Sequence, residues 1–248
     1  MKQGWTYAVT GGLGGAALAL AVVFGVAKFG LLPVSGPAIH DYLVAHPEIL
    51  VDMSNRLQSD EQTQSDDARQ VAVDKLGIKA FFDPRLAFIT GPARAKTTVA
   101  EFYDYDCPYC RASLPAVKKF YETHKNDTRF SFIELPIPSV HGPGAVLAAR
   151  ASLAAGRQPD KFVAFHFLLM GEDDSITEDT IYADARKAGL DVAKLKADMA
   201  ASSVDLAIAA AHTLAAAAEV DGTPAFVVDG KIREGTVNDE ILRKMTKG

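Results

Sequence analysis

Thr97-Thr-Val-Ala-Glu-Phe-Tyr-Asp-Tyr-Asp-Cys-Pro-Tyr-Cys110 is the stretch that decides the fold. Thr97 to Tyr105 is rich in β-branched and aromatic side chains and reads as a strand. It runs straight into Cys107-Pro108-Tyr109-Cys110. A helix is expected next, with Leu114, Val117, Phe120 and Tyr121 on its apolar face. Pro115 is expected to kink it, because proline lacks an N–H and clashes with the preceding turn. A strand that ends in Cys-x-x-Cys and opens a helix places the first thiol at a helix N-terminus. There the free N–H groups and the macrodipole stabilise a thiolate. Cys107 is therefore the expected nucleophile and Cys110, one turn in, the resolving thiol. Pro108 suits the first turn, where its missing N–H would be unpaired anyway.

Outward from this stretch, Arg85 to Thr90 and Arg129 to Leu135 read as further strands. Gly144 to about Val220 reads as helical, with breaks near Gly156, Gly171-Glu172-Asp173-Asp174 and Gly189. Its alanine-rich run, Ala207 to Ala218, is a good helix former and is expected to be close-packed core. Ala225 to Val228 and Lys231 to Glu234 form a hairpin around Asp229-Gly230, and Thr236 to Lys244 closes the chain as a helix. The order is strand, helix, strand, helical block, strand, strand, helix. That is an α/β, thioredoxin-like fold over 81–248 with an all-helical insertion at about 144–220.

The first forty residues differ in kind. Ala8 to Ala27 is a continuous apolar run of bilayer-spanning length. Lys2 precedes it and little positive charge follows, which puts the N-terminus in the cytoplasm and the rest of the chain outside. Residues 1–36 thus read as a signal anchor in the inner membrane, with the catalytic domain in the periplasm. A cleaved signal peptide is the competing reading, and it also exports the domain. Residues 37–80 read as a helical stalk. Ile39, Leu43, His46, Leu50, Met53 and Leu57 alternate four and three apart, a heptad seam that Pro47 interrupts. Residues 38–75 could pair copies of the chain, or could pack as an amphipathic helix on their own domain.

The quoted stretch, with Phe165-His166, Gly189-Leu-Asp191 and Gly222-Thr-Pro-Ala-Phe226, resembles the DsbA family of exported disulfide oxidoreductases. The resemblance is closest to its ScsC/Com1-like subgroup, because Ile39 to Leu50 carries that subgroup's N-terminal pattern. It implies a catalytic role for Glu101, six residues before Cys107, as a proton shuttle for Cys110. It implies a cis peptide at Pro224, facing the cysteines. Thr223, Pro224, Pro108 and Tyr109 become the expected substrate contacts, in a loop offering backbone groups to an extended chain. The implied partners are cysteine-containing extracytoplasmic proteins and a membrane redox partner. One position departs from the founding pattern: Tyr109 stands where a histidine is typical. Tyrosine supplies no imidazolium beside the thiolate, so the disulfide is expected to be less oxidising.

Composition limits the alternatives. The net charge is −5 and no basic stripe exists, which excludes nucleic acid as a partner class. Two cysteines in 248 residues make no disulfide framework. No cofactor is called for. Two thiolates can hold Cu(I), the alternative function for the same pair. A zinc site would need two more ligands, with His141 the nearest candidate and no His-rich spacing to support it. His166, in an apolar run, reads as a packed core histidine.

Overall fold

The computed structural model describes residues 36–246. The expected membrane segment, 1–36, lies outside the described residues except at its last position. No single helix among the described residues is long and apolar enough to cross a membrane. The chain divides into two compact units, Met1–Glu61 and Gln62–Gly248.

In the first unit, helix α1 (Gly36–Ala45) is separated from helix α2 (Glu48–Leu76) by His46 and Pro47. The break has a simple cause, because Pro47 cannot donate a helical hydrogen bond. His46 Nδ1 sits 3.0 Å from Glu48 Oε1. The heptad seam is open to solvent: Ile39, Leu50, Met53 and Leu57 are 47–60% exposed.

The last turns of α2 belong to the second unit. Val73 is 1% exposed and packs on Phe81 and Leu86. Arg69, also buried, reaches Glu234 at 2.8 Å and the carbonyl of Glu219 at 3.0 Å. Gln70 donates to the carbonyl of Gly230 and accepts from the N–H of Ile232, so it caps an exposed sheet edge.

That sheet has five strands: β1 (Ala87–Thr90), β2 (Thr97–Tyr103), β3 (Thr128–Glu134), β4 (Ala225–Val228) and β5 (Lys231–Glu234). Their order is β1-β3-β2-β4-β5, with β2 and β3 parallel and the other pairs antiparallel. Helix α3 (Pro108–His124) makes the crossover between the parallel strands, as a parallel pair requires. Both faces of β2 are covered: Val99 and Tyr103 join one core cluster, Ala100 and Phe102 the other. This is a thioredoxin-like α/β fold.

The helical insertion starts earlier than expected, at α4 (Pro138–His141), and continues through α5 (Pro143–Ala155), α6 (Pro159–Met170), α7 (Glu178–Ala188), α8 (Val192–Met199) and α9 (Ser202–Ala217). Helix α10 (Asp239–Met245) ends the chain, with Asn238 capping two of its N–H groups. Glycine punctuation did not reveal the break between α8 and α9. Arg150 donates to the carbonyl of Met199 there and satisfies a group that the helix end leaves free. The alanine run is not close-packed throughout. Ala207, Ala211, Ala215 and Ala218 are buried while Ala209, Ala216 and Ala217 are exposed. A helix with one covered face buries only a stripe at this spacing. The helix around Pro115 runs on as a single element from Pro108 to His124.

Candidate active site

β2 delivers the chain to the site. After Tyr103 it leaves the sheet and turns, with the N–H of Cys107 donating to the carbonyl of Asp104 at 3.1 Å. Cys107 is then the N-cap of α3, in extended backbone, and Pro108 occupies the first helical position. The carbonyl of Cys107 accepts from the N–H groups of Cys110 and Arg111, each at 3.1 Å. Both thiols are free and buried, Cys107 at 1% and Cys110 at 2% exposure. Tyr109 between them is 64% exposed.

The Thr223–Pro224 peptide is cis and lies against this turn. Cys107 Sγ lies 3.2 Å from the Thr223 carbonyl oxygen.

Charge distinguishes the two thiols. Cys107 is held down to about 5, first by the hydrogen bond from Cys110, then by the Thr223 side chain and the N–H groups of Cys110 and Tyr109; burial opposes this. Cys110 goes the other way, pushed well above the ordinary thiol range by burial first and then by Cys107. At neutral pH the first sulfur is a thiolate and the second a thiol. Glu101 pairs in register with Phe132 of β3 and Phe226 of β4. It is 5% exposed, and burial pushes it up to about 8. Its charge is among the influences that raise Cys110.

Sequence reasoning missed the polar scaffold that holds the turn. Asp104 is 1% exposed. It accepts from the N–H of Asp106 at 2.9 Å and the N–H of Ile137 at 2.8 Å, with His141 Nδ1 2.7 Å away. Asp106 accepts from Arg111 and from the N–H of Ile176. Arg111 also donates to the carbonyls of Tyr105, Asp173 and Asp174, tying the acidic Gly171–Asp174 loop to the active-site helix. Asp104, Asp106 and Arg111 flanking the cysteine pair are the available sequence signal. His141, the zinc candidate, therefore faces Asp104. Among the described residues no three His, Cys, Asp or Glu side chains gather as a metal site. His166 is buried among aromatic rings, 2.9 Å from the Tyr105 hydroxyl, and burial pushes it down to about 3. It is a neutral core residue.

The strand-turn-helix with its two unlike thiols, on this sheet order, defines a thioredoxin-type redox domain. The family profile described as Thioredoxin matches residues 87–247, and the chain belongs to that family. Within it the chain is of the DsbA- and ScsC-like kind. The profile described as Copper resistance protein ScsC N-terminal domain matches residues 36–64. A thioredoxin-like oxidoreductase from Silicibacter pomeroyi DSS-3 is 37% identical, with 69% of this chain and 96% of that one covered and a TM-score of 0.62. A periplasmic thioredoxin-like protein from Salmonella enterica serovar Typhimurium is 30% identical, with 68% and 92% covered and a TM-score of 0.56. The thiol:disulfide interchange protein DsbA of Bordetella parapertussis is 30% identical over 137 residues, 55% of this chain and 65% of that protein. The chain also matches Na(+)/H(+) antiporters of the NhaA type, among them one from Salinispora arenicola at 33% identity over 160 residues; it spans 24% of that relative's length.

Proposed function

We propose that the chain is a thiol–disulfide oxidoreductase that forms or rearranges disulfides in proteins outside the cytoplasm. The observation that carries this reading is geometric: Cys107 Sγ sits at the N-cap of α3, 3.2 Å from the carbonyl of the cis-proline turn, and its pKa is held down to about 5 there. In the oxidative direction, a substrate thiolate attacks Cys107 of the Cys107–Cys110 disulfide. A mixed disulfide forms and Cys110 leaves as thiolate. A second substrate thiolate then attacks the substrate sulfur, and Cys107 leaves with the electron pair. In the reductive direction the same bonds reverse, and Cys110 must lose its proton to resolve the mixed disulfide. Glu101 is the group that takes that proton. Thr223 and Pro224 bind the substrate backbone, with Pro108 and Tyr109 forming the exposed shoulder of the site. Tyr109 in place of an imidazole weakens the oxidising power and favours rearrangement.

Residues 1–36 anchor or export the chain, 81–248 are the catalytic domain, and the stalk 37–80 joins copies through the solvent-open seam from Ile39 to Leu57 within 38–75, its last turns being packed on the domain. The ScsC match over 36–64 and the open heptad seam support the stalk. A membrane protein keeps the cysteine pair in its working redox state.

The test uses the full-length protein and its Cys107→Ser variant on one substrate protein, supplied reduced or with scrambled disulfides. The account predicts that wild type restores substrate activity and the variant does not. The faster substrate distinguishes oxidase from isomerase. No effect on either form would remove the reading and leave Cu(I) binding by the two thiolates, which the copper-resistance match favours.

A further inference from the structure

The turn before the cysteines hangs on one carboxylate. The side chain of Asp104 is fully covered, and each of its groups holds a different part of the site. Its backbone carbonyl accepts from the N–H of Cys107 at 3.1 Å. Burial raises the Cys110 thiol, and a hydrogen bond from the Asp104 backbone opposes it. Oδ1 accepts from the N–H of Asp106, inside the turn, at 2.9 Å. Oδ2 reaches out of the turn: it accepts from the N–H of Ile137 at 2.8 Å and meets His141 Nδ1 at 2.7 Å. Asp106 and Ile137 are backbone donors, present whatever their side chains. His141 is the one side chain that holds Asp104 among the described residues.

The ring is placed for this task by its own backbone. α4 is a single turn, with Pro138 at its first position and Gly142 as its C-cap. Gly142 has φ +89°, which a residue with a side chain adopts only under strain. Its N–H closes the turn on the Pro138 carbonyl at 3.0 Å. The N–H of His141 donates to the carbonyl of Ile137 at 2.9 Å, so the residue that binds Oδ2 through its N–H also fixes the histidine. The His141 side chain is 11% exposed, which leaves it little room to turn away. Both Asp104 oxygens already accept, so the ring nitrogen is the donor.

We propose that His141 is a positioning residue for the thiol chemistry: by donating from Nδ1 to Asp104 it holds the Asp104–Cys107 turn in the geometry that favours the reduced cysteine pair. The inference rests on the thiol–disulfide reading and adds to it a residue of the helical insertion that sets the redox balance. Without that bond Oδ2 keeps only the Ile137 N–H, the turn loosens, and the Cys107 thiolate loses part of its hold at the helix start. The reduced form is then less favoured relative to the disulfide.

Three full-length variants separate the hydrogen bond from the ring. His141→Asn keeps a donor where Nδ1 lies, His141→Gln places it where Nε2 lies, and His141→Phe keeps a ring without a donor. Each is equilibrated with reduced and oxidised glutathione, and the Cys107 thiolate is titrated by its ultraviolet absorbance. Wild type and His141→Asn are expected to share one equilibrium constant and one thiolate midpoint. His141→Gln and His141→Phe should favour the disulfide by about fivefold more, the worth of one ordinary hydrogen bond, and titrate at higher pH. A packing role alone would lower the urea midpoints of reduced and oxidised protein alike and leave both redox readouts unmoved. If His141→Phe does not fold, the contrast between His141→Asn and His141→Gln carries the test. The inference falls if His141→Gln matches wild type, or if His141→Asn shifts as far as His141→Gln. If wild type itself does not exchange with glutathione, the redox reading fails and this inference with it.

Discussion

The thiol of Cys107 and the carbonyl of Thr223, 116 positions apart in the chain, meet at 3.2 Å. This contact joins the helix start that carries the cysteines to the turn that opens β4. It makes one site out of two distant motifs, and in the proposed function a substrate chain entering there would meet the sulfur and the Thr223–Pro224 backbone together.

The Cys107 thiolate is expected to appear with a midpoint near 5 when its ultraviolet absorbance is followed against pH. Cys110→Ala removes the largest stabilising hydrogen bond and should move that midpoint up. Thr223→Val should move it up by less. An unchanged midpoint in both variants would mean that other groups hold the thiolate.

Stability of the reduced protein follows from the same shift. Cys107 has a folded pKa of about 5, below the unfolded value of about 8.5. Its contribution is fully present above pH ~8.5 and is lost as pH falls through about 5. The oxidised protein has no such group. The stability difference, reduced minus oxidised, should therefore grow with pH across that window in denaturant titrations of both forms.

Glu101 has the opposite sign. Its folded pKa of about 8 lies above the unfolded value of about 4.3, so its contribution is present below pH ~4.3 and lost as pH rises through about 8. Glu101→Gln should therefore be no less stable than wild type at alkaline pH. It should slow resolution of the mixed disulfide by about a hundredfold, the lower range for general base catalysis, and remove the inflection near 8 from the pH–rate profile. An unaltered profile would make Glu101 a structural residue.

Arg69 anchors the end of α2 to the domain. Arg69→Ala leaves Glu234 and the Glu219 carbonyl without their buried partner, and should cost about 3 kcal/mol in urea unfolding. Lys119, whose pair with Asp239 is exposed, should tolerate alanine at under about 1 kcal/mol.

Much of this was legible in the sequence because the signals are local. Strand composition before Cys107, Asp229-Gly230 at the hairpin and Pro47 in the stalk each act within a few residues. The two thiols were read from their spacing on elements whose type was clear, while the role of Glu101 and the cis peptide at Pro224 were implied only by the family resemblance. What stayed hidden depends on tertiary partners. Nothing local marks Asp104 as the acceptor for Ile137 and His141, or Arg111 as the tie to the Gly171–Asp174 loop. The break after Met199 is met by Arg150, some fifty positions earlier, and so escapes any reading of glycines. Ala207 to Ala218 looked like core because composition reports apolarity and not which face is covered.

The most direct test of the central claim is to trap the intermediate. Full-length Cys110→Ser, which lacks the resolving thiol, is mixed with a peptide bearing a single disulfide, and the product is read by mass spectrometry. The account predicts a stable adduct on Cys107, forming at a rate that rises with its thiolate well below the pH at which an ordinary thiol ionises. No adduct, or one that forms only at alkaline pH where an ordinary thiol ionises, would contradict it.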